Sequence, residues 1–152
     1  MKLRRAIESD VDRLVEVEHA CFDPRLYTAM SPRQFRYHVT SPNSVLIVGV
    51  DSNRSPLGYA LGFLHGQRKS IRFYSLAVAP DAQRGDIGKL LFEAIEQEAR
   101  RRGLGVQCEV REDNEKLKAR YSKIGYHPYR RVENYYPDGA ACLKYLKNPL
   151  SI

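Results

Sequence analysis

Residues 79–91 read APDAQRGDIGKLL, a glycine-punctuated turn from Gln83 to Gly88 that runs straight into an apolar, helix-forming stretch. This order of residue types suits anion binding, because the backbone N–H groups of such a turn and of a helix N-terminus aim partial positive charge at one point. Asp86 sets a carboxylate in the middle of that cradle, where it opposes a bound phosphate and favours the helix dipole. Two further residues have types suited to proton transfer. Glu109 lies on a run in which Val106, Cys108 and Val110 alternate with Gln107, Glu109 and Arg111, so its carboxylate faces away from the apolar side. On spacing alone a solvated strand carboxylate paired with Arg111 or a lysine is the favoured reading. Tyr121 stands seven residues after Asn114 and projects from nearly the same helix face. A phenol there either donates a proton or packs half-buried with its hydroxyl on a backbone carbonyl.

Composition bounds what these groups can serve. The 152 residues fit one domain, 1–152, with a sizeable core. The apolar run from Val45 has a strand's length, far short of a membrane span. The start, MKLRRAIESD, is basic and has no apolar leader region, so no secretory signal is expected. Cys21, Cys108 and Cys142 are scattered and odd in number, which reads as reduced thiols of a cytoplasmic protein. The four histidines show no paired-ligand spacing, and no metal is expected. A net charge of +7 invites an acidic partner such as nucleic acid, a ribosomal surface or a polyanionic small molecule. Charges of both signs alternate through most of the chain, which favours solvated outer faces over a nucleic-acid stripe. Arg100-Arg101-Arg102 closes a helical run just before Gly103 and suits the negative end of its dipole.

The elements that must position these residues follow from periodicity. A short strand is expected over 2–6, then a helix capped by Ser9 and running to about Cys21, stopped by Phe22-Asp23-Pro24. Ser31-Pro32-Arg33-Gln34 is a capping-box start for a helix to about Val39. Strands are expected over 45–50, 58–64 and 71–78, joined by turns at DSNRSP and HGQRKS. Ile87, Leu90, Leu91, Ala94, Ile95 and Ala99 mark one face of the clearest helix. A strand over 106–111 and a helix capped by Asn114 and ended by Gly125 come next, with Leu117, Tyr121 and Ile124 on one side of that helix. Two closing strands, about 126–133 and 141–146, flank a Tyr-Tyr-Pro-Asp-Gly turn. The order is β-α-α-β-β-β-α-β-α-β-β, one α/β domain with a mixed sheet.

That order, together with three motifs, resembles the GNAT superfamily of acyl-CoA-dependent N-acetyltransferases over nearly the whole chain. The strand Ser75-Leu76-Ala77-Val78-Ala79-Pro80 followed by Gln83-Arg84-Gly85-Asp86-Ile87-Gly88 resembles the family's Q/R-x-x-G-x-G/A turn, which grips the CoA pyrophosphate. Glu109-Val110-Arg111 with Asn114 and Tyr121-Ser122-Lys123-Ile124-Gly125-Tyr126 is the second motif. Asn134-Tyr135-Tyr136-Pro137-Asp138-Gly139, with Cys142 and Tyr145 beyond, is the third. The last two resemble the RimI-like branch, whose members acetylate protein N-termini, including that of a ribosomal protein. The chain departs from the pattern at Asp86, where the family has glycine; here the glycine comes one place early, at Gly85.

The resemblance implies a single GNAT-like domain, a mixed, mostly antiparallel sheet of about six to seven strands flanked by about four helices, and acetyl-CoA as co-substrate. It implies that Gln83, Arg84, Gly85, Asp86, Ile87, Gly88 and Lys89 hold the pyrophosphate, less tightly than a glycine-richer turn. It implies that backbone groups of Leu76, Ala77 and Val78 bind the pantetheine arm and polarise the thioester carbonyl, and that Asn114 contacts CoA besides capping its helix. Acetyl transfer needs a neutral amine, a stabilised oxyanion and a departing thiolate. At pH 7 an α-amine of pKa ~8 costs ~1.4 kcal/mol to deprotonate and a lysine of pKa ~10.4 about 4.6 kcal/mol. A single carboxylate acting through a water covers the first. The resemblance makes Glu109 that general base and Tyr121 the general acid. Tyr135 and Tyr136, with residues 22–30 opposite, either wall a slot for a peptide end or form a packed hairpin. The leading expectation is therefore acetylation of a protein or peptide N-terminal α-amine. Acetylation of lysine side chains or small polyamines, a non-catalytic acyl-CoA-binding regulator and a basic nucleic-acid-binding module are the competing readings.

Overall fold

Alternating apolar residues and helical stripes resolve into β1 (Lys2–Arg5), α1 (Val11–Cys21), α2 (Pro32–Thr40), β2 (Ser44–Val50), β3 (Pro56–His65), β4 (Ser70–Val78), α3 (Ile87–Arg101), β5 (Gly105–Arg111), α4 (Glu115–Lys123), β6 (His127–Val132) and β7 (Cys142–Lys147). This computed structural model describes residues 1–148 except Leu26, Gly66 and Arg68. The predicted HGQRKS turn therefore lies partly outside the described residues. The strands form one seven-stranded sheet in the order β1-β2-β3-β4-β5-β7-β6. It is mixed: β1/β2, β2/β3, β5/β7 and β6/β7 pair antiparallel, and β4/β5 pair parallel.

Local chemistry explains most element ends. At α2 the capping box forms as its sequence demands: Gln34 N donates to Ser31 Oγ (3.1 Å) and Ser31 N donates to Gln34 Oε1 (2.8 Å). Asn114 Oδ1 accepts from Leu117 N (3.1 Å) and starts α4. That helix ends at Gly125, whose φ of 98° is a conformation L side chains rarely adopt. The start of α1 differs from expectation. Ser9 sits inside a 3₁₀ turn, Glu8–Asp10, and does not cap. Asp10, the residue before α1, makes no side-chain cap bond to that helix either: its Oδ2 accepts from Ile7 N (2.8 Å), and the carboxylate is paired with Arg4 (2.7 Å). The pull of Arg4 on β1 and of the Ile7 N–H turns the Asp10 carboxylate away from the first turn of α1.

Contacts divide the chain into two compact units. The first comprises Met1–Phe63 and Ser75–Ile95. Its core contains Leu14, Val17, Phe35, Leu46, Val48, Tyr59, Leu61 and Ala77, with Phe35 and Tyr59 packed edge to face (centroids 5.4 Å apart). The buried Glu18 carboxylate accepts from Tyr59 OH (2.5 Å) and Met30 N (2.8 Å), which ties the end of the α1–α2 connection to the core. Gly58 is required by close approach, since a Cβ there would stand 2.7 Å from Ala77 O.

The second unit comprises Leu64–Tyr74 and Glu96–Ile152. Ile71, Ala99, Val106, Cys108, Val110, Tyr126 and Tyr145 are buried in it. The parallel ladder pairs Ser70 with Gly105, Ile71 with Val106 and Arg72 with Gln107. The antiparallel ladder pairs Gln107 with Leu146, Glu109 with Lys144 and Arg111 with Cys142.

Candidate active site

The β5 alternation sends Glu109 to the face it shares with Gln107 and Arg111. There the carboxylate, 10% exposed, forms an ion pair with Arg72 of β4. The Cys142 thiol lies 3.6 Å from Glu109 Oε2. Tyr135 hydrogen-bonds Glu109 as well, and Arg72 Nη2 lies 3.5 Å from the Tyr135 hydroxyl. Burial, then the Glu109 bond and charge, push the Tyr135 phenol up to about 12. Burial and the neighbouring Cys142 likewise raise Tyr136, and burial followed by the Glu109 charge raises the Cys142 thiol. Both groups therefore stay protonated around the carboxylate at neutral pH.

The segment that presents Tyr135 and Tyr136 is held by local geometry. Asn134 adopts φ 53° and Gly139 φ 88°, and the N–H groups of Tyr135 and Tyr136 both donate to Ala140 O (3.1 Å). The two rings meet edge to face at 5.1 Å. Arg111 lies 5.0 Å over the Tyr136 ring and pairs with Asp138 (2.7 Å) and Asp113 (3.1 Å). Arg111 is thus committed to those two aspartates, and the cation on Glu109 is Arg72, not Arg111 or a lysine. Spacing could not reveal this, because Arg72 reaches Glu109 through parallel strand register between segments far apart in sequence.

Tyr121 stands elsewhere. It bonds Cys108, which alternation puts on the opposite face of β5 from Glu109, and its ring lies 5.4 Å from Tyr126 and 6.2 Å from Tyr145. Tyr126 OH donates to Glu96 Oε2 (2.8 Å), which also accepts from Lys147 Nζ (3.3 Å). Desolvation raises the Tyr121 phenol, with Cys108 adding to it, so the hydroxyl keeps its proton well above neutral pH. The two proton-transfer candidates therefore flank one strand from its two faces.

In the first unit, Gln83 Nε2 donates to Val78 O (2.9 Å) and fastens the turn to the end of β4. Cys21 Sγ donates to the same carbonyl (3.0 Å). Gln83 thus ties the turn to β4 through Nε2 while the residue itself stays exposed. Arg84, Gly85, Asp86 and Lys89 are exposed, and Ile87 is buried. Gly88 is half-buried; a Cβ there would make only ordinary contacts with Val78 and Leu76. Around Gly85 a Cβ would meet nothing within 4 Å. Gly85, Asp86 and Gly88 are absent from the residues of positive φ, so the turn needs no left-handed residue. Asp86 sits just before α3, with Leu90 N donating to its carbonyl (2.9 Å), so it is a cap position and not a residue of the first helical turn. Of Leu76, Ala77 and Val78, the last two are buried. Asn114 is exposed at the head of α4.

A cavity of about 630 Å³ in the second unit is lined by Glu112, Asp113, Glu115, Lys118, Ala140, Ala141 and Leu143. Its carboxylates are each engaged: Glu112 by Arg131, Asp113 by Arg111 and Glu115 by Lys118. It does not present free acidic groups to a polyamine. Among the described residues no group of three or more His, Cys, Asp or Glu could hold a metal ion, and no helix is long and apolar enough to cross a membrane.

The acetyltransferase (GNAT) family model matches residues 11–126, and the chain belongs to that family. It is accordingly an N-acetyltransferase whose donor is acetyl-CoA. Among solved structures, the chain is similar to the ribosomal-protein-S18-alanine N-acetyltransferase of Escherichia coli (TM-score 0.79, 20% identity, 97% of this chain and 92% of that one). It is similar to Naa20 of Chaetomium thermophilum in complex with a bisubstrate analogue (TM-score 0.75, 26% identity, 97% and 86%). It is also similar to an aminoglycoside 6′-acetyltransferase type Ii (TM-score 0.80, 17% identity, 98% and 97%). No curated protein sequence matches it.

Proposed function

We propose that this acetyltransferase, acting as a single domain, acetylates the α-amine at the N-terminus of a protein or peptide, with Glu109 as general base and Tyr121 as the acid facing the departing sulfur. The observation that carries the reading is the setting of Glu109: a lone carboxylate, nearly buried, positioned by Arg72 and walled by Tyr135. One such carboxylate offsets the ~1.4 kcal/mol needed to deprotonate an α-amine at pH 7, and falls short of the ~4.6 kcal/mol for lysine. The engaged carboxylates at the acidic cavity argue against a polyamine acceptor. The likeness to an enzyme named for a ribosomal-protein alanine makes a ribosomal N-terminus the first acceptor to try.

Acetyl-CoA supplies the activated acetyl group as a thioester. The turn fits its phosphates: Arg84 and Lys89 are exposed cations, the first N–H groups of α3 have no intrahelical acceptor, and the open space at Gly85 admits close approach. Gln83 contributes by holding the turn shut. Leu76, Ala77 and Val78 at the end of β4 and Asn114 at the head of α4 complete the proposed donor contacts. Incubating the enzyme with acetyl-CoA and paired peptides, one with a free α-amine and one N-blocked but carrying lysine, tests the acceptor by mass spectrometry. Acetylation confined to the free α-amine is expected; faster acetylation of the blocked lysine peptide overturns the reading.

A further inference from the structure

Among the described residues, the buried side-chain nitrogen and oxygen atoms without a hydrogen-bond partner are both on one residue, Gln107. The side chain is 2% exposed, and neither Nε2 nor Oε1 is paired. Burying an amide without partners is costly, and native chains do so rarely, so the pair of unpartnered atoms calls for a cause. Gln107 is on β5 two residues before Glu109, on the same face, with its Cα about 6.6 Å away. Its register partner on β4 is Arg72, the residue whose guanidinium pairs with Glu109.

We infer that the Gln107 carboxamide reads the first peptide group of the acceptor. This rests on the preceding reading that an α-amine is deprotonated at Glu109. An acceptor whose amine reaches Glu109 lays its first peptide group along the same face of β5, beside Arg72, the register partner of Gln107, and Arg72 keeps its hold on Glu109. Nε2 then donates to the carbonyl of the acceptor's first residue, and Oε1 accepts from the N–H of its second. A carboxamide carries one donor group and one acceptor, the complement of a peptide group. An N-terminal α-amine has such a group attached through its Cα. A lysine amine has its nearest peptide groups at the far end of a long side chain, and a polyamine has none. Gln107 thereby selects the class of amine, whereas Glu109 only deprotonates it.

The test uses a short peptide with a free N-terminus and its analogue in which the first peptide N–H is replaced by an ester oxygen. Both are acetylated by wild-type enzyme, Gln107→Leu and Gln107→Met. In wild type, kcat/KM for the peptide should exceed that for the ester by about 5- to 15-fold, the worth of one hydrogen bond, and mostly through KM. In both variants the ratio should fall near one. The ligand-free variants should melt at or above the wild-type temperature, because an unpaired amide has been removed. A wild-type ratio near one, or an undiminished ratio in the variants, overturns the inference and leaves the α-amine reading intact. Variants that fail to fold, or that melt lower and lose kcat equally on both acceptors, assign Gln107 a structural role and also overturn it. If wild type acetylates neither acceptor but does acetylate an N-blocked lysine peptide, the α-amine reading falls first and the inference with it.

Discussion

At the scale of single residues, Glu109 and Tyr121 make separable predictions. Glu109→Gln should lower kcat most near pH 7 and progressively less toward pH 9.5, because a base becomes dispensable once the amine, of pKa ~8, loses its proton unaided. A rate deficit constant over that range would remove Glu109 from the base role. In its proposed role Tyr121, a raised phenol, would protonate a thiolate whose conjugate acid lies near pKa ~8.5, so full proton transfer would run uphill. Tyr121→Phe should therefore slow turnover by about 10²-fold, the low end for a general acid, with acetyl-CoA affinity little changed. Wild-type activity should show no loss from ionisation of this tyrosine below about pH 10, since burial holds its proton on. Near-normal kcat in the purified variant returns Tyr121 to packing against Tyr126 and Tyr145. The family resemblance, not spacing, singled out both positions; on spacing alone the solvated carboxylate and the packed tyrosine were the favoured readings. That they sit on opposite faces of β5, and that Arg72 holds Glu109, depends on where α4 and β4 pack, and no local pattern carries that information.

Elements show the same division between local and long-range causes. The α2 capping box and the Asn114 cap were readable because the donor and acceptor lie within four residues of each other. Ser9 misled because a 3₁₀ turn, held by the Asp10 carboxylate between Arg4 on β1 and Ile7 N, precedes α1 and takes Ser9 into it. The turn before α3 was readable as a turn, but not the use of Gln83 to bind Val78 O or the place of Asp86 as a cap. That geometry sharpens what substitution should do. Gly85→Ala meets no protein atom within 4 Å, so it should leave thermal stability nearly unchanged and weaken CoA binding, read by titration calorimetry. A normal affinity would mean that the ligand does not approach Gly85. Asp86→Gly should tighten CoA by about 3- to 30-fold at low salt, with the gain shrinking as ions screen it. Because glycine is nearly as good as aspartate at a cap, its melting temperature should fall only slightly. Unchanged affinity at both ionic strengths would mean that the carboxylate does not face the phosphates.

For the molecule as a whole, the buried ionisable groups set the pH range of stability. Tyr59 and Tyr126 are almost wholly buried, and desolvation raises both phenols; Cys108, buried on β5, is raised for the same reason. In each case the folded chain keeps a proton that the unfolded chain releases at about pH 8.5 for the thiol and 10 for the phenols. Their contribution is complete below those values. Above them the unfolded state binds fewer protons than the folded state, so stability falls with rising pH, by about 1.4 kcal/mol per pH unit for each group. On the acid side His38 is lowered by burial, with Nδ1 2.8 Å from Ser44 Oγ. Its contribution is present above the ordinary histidine value near 6.5 and is lost as pH falls below it. Urea midpoints should therefore be flat between about pH 7 and 8, decline from about pH 9, and fall more steeply past pH 10. Tyr126→Phe should be less stable at neutral pH through the lost bond to Glu96, yet its decline above pH 10 should be shallower by about one proton. A decline of unchanged steepness in that variant would show that Tyr126 ionises in the folded protein as readily as in the unfolded one.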